Sequence, residues 1–425
     1  MDRLLVTGGR RLHGAVPING AKNSALKLMA ASLLAEGRTV IENVPRIVDC
    51  VTMGEVLERL GAGVAWDGSD LTIDTTGATG IEAPYELVRK MRASIVVLGP
   101  LLARYGHGRV AMPGGCNIGS RKIDLHMKGL ERMGVEFTSE HGYLEAKAPN
   151  LHGAFISLDY PSVGATENIL MAAVGARGPT VIENAAREPE IQDLAEMLVE
   201  MGARIEGAGT TSIEVEGVSG FHPVRHRVVP DRIEAGSFAI AACITGGEVT
   251  LKDARVDHLD LVLDKLGEGG ARIALDEAGI TVGCEERPLA VDFVTLPYPG
   301  FPTDLQPQMM ALLSVARGTS IITENVFESR FMFVDELNRM GADIRTEGHH
   351  AVIGGAEKLS AAPVRALDIR AGAAMIIAAL AADGTTEIFD LYHVDRGYQD
   401  FDGRLAALGA EVRREREPSL SAVLT

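Results

Sequence analysis

Apolar positions along the chain follow two periods in turn. Runs with helical spacing end at a glycine and give way to short stretches in which every second residue is apolar. This happens at ERLGAGVAW, ERMGVEF, VEMGARIEG, GEGGARIAL, NRMGADIRT and AALGAEVRR. The aligned glycines are Gly61, Gly134, Gly202, Gly270, Gly341 and Gly409, a recurrence of about 70 residues that marks an internal repeat. A glycine at such a place is the expected left-handed cap of a helix, and the alternation after it predicts a strand.

A second series interleaves with the first: LLAEGRTVIENV, RYGHGRVAM, GARGPTVIENA, ITGGEVTLKDA, VARGTSIITENV and AADGTTEIFDL. Its glycines are Gly37, Gly108, Gly178, Gly247, Gly318 and Gly384. Each of six repeats therefore holds two helices and several short strands, which predicts an α/β (α+β) fold rather than a bundle or a sandwich. Counting back 14 to 16 residues from each second-series glycine predicts helix starts at Lys22, Arg92, Val163, Arg232, Asp304 and Arg370. Four of these six residues are basic. Helix starts present free N–H groups and partial positive charge, so a basic side chain there is unfavourable for the helix but suited to an anion.

Composition narrows the partners. The chain has 425 residues, 46% hydrophobic and 23% charged, with a net charge of -17. Such acidity opposes nucleic acid and anionic membrane as general partners. The longest apolar stretch, Ala371 to Ala382, is too short for the roughly 20 residues of a membrane crossing. The start MDRLLVTGGRRLHG lacks the apolar core of a secretory signal. Cys50, Cys116, Cys243 and Cys284 are widely spaced, which suggests neither a zinc site nor a redox pair and fits a reducing cytoplasm.

Some segments carry candidate chemistry. INGAKNSALKLMAASLL places Lys22 and Asn23 at a helix start, where a capping Asn with a solvated Lys is one reading and a ligand site the other. MPGGCNIGSRKIDLH surrounds Cys116 with glycines and polar residues, unlike the core setting usual for a free thiol, and Arg121 nearby would favour the thiolate. In YPGFPTDLQPQ, Asp304 reads either as a helix cap or as a base. Arg330, Arg370 and Arg396 are surface ion pairs or holders of phosphate or carboxylate.

Taken together these segments resemble the enolpyruvyl transferase family, and in particular its members that act on UDP-N-acetylglucosamine at the first committed step of peptidoglycan synthesis. The resemblance runs from GAKNSAL through NAAREPEI, PDRIEAGSF, FPTDLQPQ and FESRFM to DRGYQDFDGRLAALGA, essentially the whole chain. It implies a two-domain inside-out α/β barrel with three repeats per domain. Residues 22–229 would form the first domain, carrying the Cys116 loop, and residues 1–21 with 230–425 the second. It implies transfer of the enolpyruvyl group of phosphoenolpyruvate to the sugar 3-hydroxyl through a tetrahedral ketal, with release of phosphate.

By the same resemblance Lys22 and Arg396 match positions that grip phosphoenolpyruvate, and Arg92, Arg121, Arg330 and Arg370 further positions around the substrates. Cys116 matches the general acid, which forms a covalent adduct and is the target of fosfomycin, and Asp304 matches the base. Asn23, the run Arg121, Lys122, Ile123, Asp124 and Leu125, then Ser162, Val163, Gly164 and Val326 match contacts to the sugar nucleotide. No metal or other cofactor is implied. Relatives often carry lysine where this chain has Val48; the nearest basic residue is Arg46. The alternatives are the sister enzyme of the shikimate pathway, which lacks the PGGC loop, an enolpyruvyl transferase for another uridine nucleotide, and a non-catalytic sugar-nucleotide sensor. RNA-terminal phosphate cyclases share related repeats, but the acidic charge opposes RNA. The sequence leaves the oligomeric state open.

Overall fold

A computed structural model describes residues 2–112 and 123–416. Each repeat folds into the same unit. A short strand leads into a buried helical stretch, a second strand returns parallel to the first, and a covering helix and an antiparallel hairpin complete a four-stranded sheet. In the fifth repeat, Phe293–Thr295 pairs in parallel with Thr319–Glu324 across Gln306–Leu313, and His350–Gly354 and Asp343–Glu347 follow antiparallel. Six such sheets are present among the described residues. The six first-series glycines all have positive φ, between 87° and 106°. The second series differs in two repeats: Gly106 and Gly246 take the left-handed conformation, not Gly108 and Gly247. In the fourth repeat a Cβ on Gly247 would stand 2.1 Å from the Leu12 carbonyl oxygen, so close approach of backbone is what requires that glycine.

The chain forms two compact units with separate apolar cores. One comprises residues 20–112 and 123–229, the other 2–19 and 230–416. The first crossing falls between Asn19 and Gly20, two residues before the boundary expected from the resemblance. Ala21 is buried in the core of residues 20–229, and its N–H donates to the Val229 carbonyl at 2.7 Å. Gly20 is required there, because a Cβ would stand 1.9 Å from the Asn43 carbonyl oxygen.

Each unit is closed by strands distant in sequence. In the first, Arg225–Arg227 lies parallel to Arg38–Glu42. In the second, the amino-terminal strands complete two sheets: His13–Pro17 joins Glu248–Lys252, and Asp2–Thr7 lies between Thr385–Phe389 and Glu411–Arg416. The central helices of the second unit are Arg232–Ile244, Gln306–Leu313 and Ile369–Ala381, packed on one another. They are apolar on nearly every face and correspondingly buried. In the first unit Lys22–Ala31, Leu98–Tyr105 and Val163–Ala173 take the same places in their repeats. Among the described residues no helix is long and apolar enough to cross a membrane.

Candidate active site

All six helix starts expected from the glycine spacing fall within one residue of an observed helical start: Lys22, Val163, Arg232 and Arg370 at α-helices, and Arg92 and Asp304 at 3-10 turns. The turn Arg92–Val97 runs into the α-helix at Leu98, and Thr303–Leu305 into the one at Gln306.

In the first unit Lys22 is not a solvated residue. It is buried, and its Nζ lies 2.7 Å from Asp49 Oδ2, itself 3% exposed. The residue before the helix is Ala21, so no side chain caps it, and Asn23 lies inside its first turn. Four residues on, Lys27 Nζ donates to the Asn23 carbonyl at 2.6 Å and stands 3.4 Å from Glu167 Oε2. Glu167 is fully buried, and burial pushes its carboxyl up to about 8 although Lys27 pulls the other way. From the opposite side Ser24 Oγ donates to Asp193 Oδ2, whose other oxygen is 2.8 Å from His226 Nε2. The start of this helix is thus held by buried carboxylates from two neighbouring helices, Val48–Arg59 and Pro189–Glu200.

A second group in the same unit surrounds His126. Asn168 Nδ2 donates to its Nδ1 at 3.1 Å, which places the ring proton on Nε2. Burial, reinforced by the charge of Arg92, pushes His126 down to about 4, so the ring is neutral at pH 7. Gly164 lies against it: a Cβ there would be 3.2 Å from the ring. Ser162 caps the helix Val163–Ala173 by accepting from the Ala165 N–H at 3.4 Å. Arg92, Asp124 and Gly164 therefore lie close to one buried imidazole, and Leu125, Ser162 and Val163 are their chain neighbours, with Asp124 exposed and the rest half-buried. Ile123, just before the helix Asp124–Arg132, is buried. Cys116, Arg121 and Lys122 lie outside the described residues. At the position of the absent lysine, Val48 opens a helix, and the Arg46 guanidinium sits 5.7 Å from the Trp66 ring centroid.

The second unit carries the tighter cluster. Asp304 lies in a 3-10 turn, Thr303–Leu305, that leads into the helix Gln306–Leu313. It accepts from two buried arginines: Arg330 Nη2 at 3.2 Å on one oxygen and Arg370 Nη2 at 2.9 Å on the other. Burial alone would pull the Arg370 guanidinium down, but Asp304 beside it holds it above its ordinary value. Arg370 Nη1 and Arg330 Nε are buried with no hydrogen-bond partner among the described residues. An unpaired buried donor costs about 1–3 kcal/mol, and a bound anion would relieve it.

The helices that start at Arg232 and Ile369 are capped by Asp231 and Asp368, each accepting two first-turn N–H groups. Those N–H groups are occupied, so recognition of an anion there falls to the guanidinium groups. Glu324 holds the Val326 and Phe327 N–H groups at 2.8 and 3.0 Å, fixing the backbone at Val326. Arg396 is half-buried at the end of Tyr392–Asp395. A cavity of about 480 Å³ elsewhere in this unit, lined by residues including Arg11, Arg272, Arg287 and Arg317, contains no residue of these clusters. Arg287 there donates to four backbone carbonyls and Arg272 pairs with Glu248, which marks a structural seam.

Asp49, Lys27, Glu167, Asp193, His126 and Glu324 did not stand out in the sequence. Each meets its partners, within its own unit, only through contacts distant in the chain or hidden in an ordinary helical pattern.

The model of the EPSP synthase (3-phosphoshikimate 1-carboxyvinyltransferase) family matches residues 6–405. The chain belongs to this enolpyruvyl transferase family. Within the family it is 55% identical to the UDP-N-acetylglucosamine 1-carboxyvinyltransferase of Corynebacterium jeikeium over 97% of this chain and 99% of that one. It is 52% identical to the enzyme of that name from Geobacter metallireducens over 98% and 100%. Among solved structures, the enolpyruvyl transferase NikO from Streptomyces tendae superposes with a TM-score of 0.89 at 28% identity, covering 98% of this chain and 99% of that one. EPSP synthase from Acinetobacter baumannii, at 19% identity and a TM-score of 0.76 over 98% and 100%, shares the fold.

Proposed function

We propose that the chain is a UDP-N-acetylglucosamine 1-carboxyvinyltransferase. It moves the enolpyruvyl group of phosphoenolpyruvate to the 3-hydroxyl of the sugar nucleotide and releases phosphate, the first committed step of peptidoglycan synthesis. Identity above 50% along the full length to enzymes of that name supports the substrates. The geometric observation that carries the reading is the Asp304 carboxylate held between two buried guanidinium groups at a helix start.

In this reading the sugar hydroxyl adds to C2 of phosphoenolpyruvate as C3 is protonated, giving a ketal. Loss of a C3 proton and of phosphate then restores the double bond. Asp304 takes the hydroxyl proton and Cys116 delivers the proton to C3. Lys22 and Arg396 hold the donor, with Arg92, Arg121, Arg330 and Arg370 around the substrates. Asn23, residues 121–125, Ser162, Val163, Gly164 and Val326 hold the sugar nucleotide. The absence of a lysine at Val48 removes one cation from the donor's surroundings and leaves the others in place. In this reading the enzyme acts in the cytoplasm.

The test is phosphate release from phosphoenolpyruvate with and without UDP-N-acetylglucosamine. Release that depends on the nucleotide is expected. Release driven by shikimate 3-phosphate, or none with either acceptor, would overturn the reading.

A further inference from the structure

The three central helices of the second unit pose a problem of register. Gln306–Leu313 is buried at every residue, and Ile369–Ala381 carries the run AGAAMIIAALA. Arg232–Ile244 is buried from Ile233 onward. Where the faces of such helices are mostly small or apolar, directional contacts are few, and buried polar groups such as Glu234, held by Asn19 and Arg404, add most to fixing rotation and sliding. One residue of sliding is about 1.5 Å along the axis. Yet the residues that matter sit at their starts: Arg232, Asp304 and Arg370.

One turn below those starts lies a cluster of three buried polar side chains, Ser237, Gln308 and Tyr398, at most 2% exposed. Ser237 Oγ donates to the Ile233 carbonyl at 2.7 Å, so it accepts from the Tyr398 hydroxyl at 2.9 Å. Gln308 Nε2 lies 3.2 Å from Ser237 Oγ, 3.0 Å from the Tyr398 oxygen and 3.0 Å from the Asp304 carbonyl. Acceptors on all sides identify this atom as the amide nitrogen. The Tyr398 ring faces the Arg370 guanidinium, 5.4 Å from its centroid, and is backed by Phe401 at 4.7 Å. Gln308 Oε1 is buried without a partner among the described residues, an expense that a methionine of similar length would avoid. Packing alone does not account for a glutamine here.

We propose that Tyr398 and Gln308 are positioning residues that lock the register of the central helices and so hold Asp304 and Arg370 in their reacting arrangement, a role that rests on the reading of Asp304 as the base. Buried polar groups that fix helix register at some expense in stability are a known device. Gln308 fixes the backbone at Asp304, and Tyr398 fixes the guanidinium that Asp304 accepts from.

The experiment is steady-state kinetics on Tyr398→Phe and Gln308→Met, each alone and combined with Asp304→Asn. A misplacement of about 1 Å suffices for large losses, so each single variant is expected to lower kcat about tenfold or more. KM for both substrates should stay within about threefold, because ground-state binding is not what the cluster serves. In the Asp304→Asn background, Tyr398→Phe should change kcat by less than about twofold, because the group it positions is already gone. An equal factor in both backgrounds would assign the cluster to stability alone and overturn the positioning role. Unchanged kcat in the single variants would overturn it too. Near-normal turnover of Asp304→Asn by itself would instead overturn the reading of Asp304, and the positioning role with it. If one variant fails to fold, the other carries the same comparison.

Discussion

The two units share one architecture but set their charges differently. At the three helix starts the first unit has Lys22, Arg92 and Val163, and the second has Arg232, Asp304 and Arg370. In the first, two buried lysines each lie beside a carboxyl from another helix: Lys22 beside Asp49, and Lys27 beside Glu167. The one imidazole among the matched residues there is kept neutral by burial. In the second, a single carboxylate is shared by two buried arginines, above a polar cluster that ties three helices together. The repeated fold supplies equivalent positions; which side chain occupies them decides the charge and the hydrogen bonds each position can offer. Paired charges can be removed one at a time with local effect. A shared carboxylate cannot, because its loss leaves two guanidinium groups buried and unpaired at once.

The sharpest contrast concerns thiols. Burial pushes the Cys243 and Cys284 thiols of the second unit up, which keeps them unreactive, and Cys50 of the first unit is buried. Incubation with fosfomycin and UDP-N-acetylglucosamine should therefore give one adduct by intact mass, mapping to Cys116 and absent in Cys116→Asp. An adduct on any other cysteine breaks the assignment. Next in size, Asp304→Ala should lower turnover by roughly 10²–10⁴, the range for a general acid or base, while calorimetric binding of the sugar nucleotide stays within about tenfold. Turnover near normal would remove the second unit's shared carboxylate from the chemistry.

Asp49→Asn tests the paired arrangement of the first unit. It leaves Lys22 buried beside a neutral group and should cost about 3 kcal/mol in chemical denaturation. A loss below about 0.5 kcal/mol, as expected for an exposed pair, would show that the pair is not buried in solution. The smallest effect is a slope with pH. Glu167 has a folded-state value of about 8 against 4.5 for the free side chain, so the folded state holds a proton that the unfolded state releases between those values. Stability should fall as pH rises through that window, by at most about 1.4 kcal/mol per pH unit from this group. Glu167→Gln should flatten the slope between pH 6 and 8, measured by urea denaturation. An unchanged slope would mean that Glu167 titrates normally.

Much of the fold was legible because it is repeated. A single glycine cap is weak, but six in register predicted the helix ends and the strands after them, and the second glycine series predicted six helical starts to within a residue. Gly108 and Gly247 kept the register although in their repeats the neighbouring Gly106 and Gly246 turn the chain, and Gly247 answers a close backbone approach instead. The boundary at residue 19 was not legible, because whether Gly20 and Ala21 belong to one core or the other depends on Asn43 and Val229, far along the chain. For the site, the residues of distinctive type in distinctive segments could be named in advance: Lys22, Asp304, Arg370. Their partners could not. Asp49 and Glu167 look like ordinary polar residues on amphipathic helices until the helices pack.

The sequence by itself determined the repeat, the alternation of helix and strand, the positions of the helix starts and the family, since all of these are local patterns or ordered motifs along one chain. Only the tertiary structure decided that Asp304 is shared by Arg330 and Arg370. Only there does His126 prove neutral and Glu167 hard to ionise. Charge state and hydrogen-bond partnership depend on burial and on neighbours brought together from distant repeats, and no spacing along a chain encodes the dielectric around a side chain.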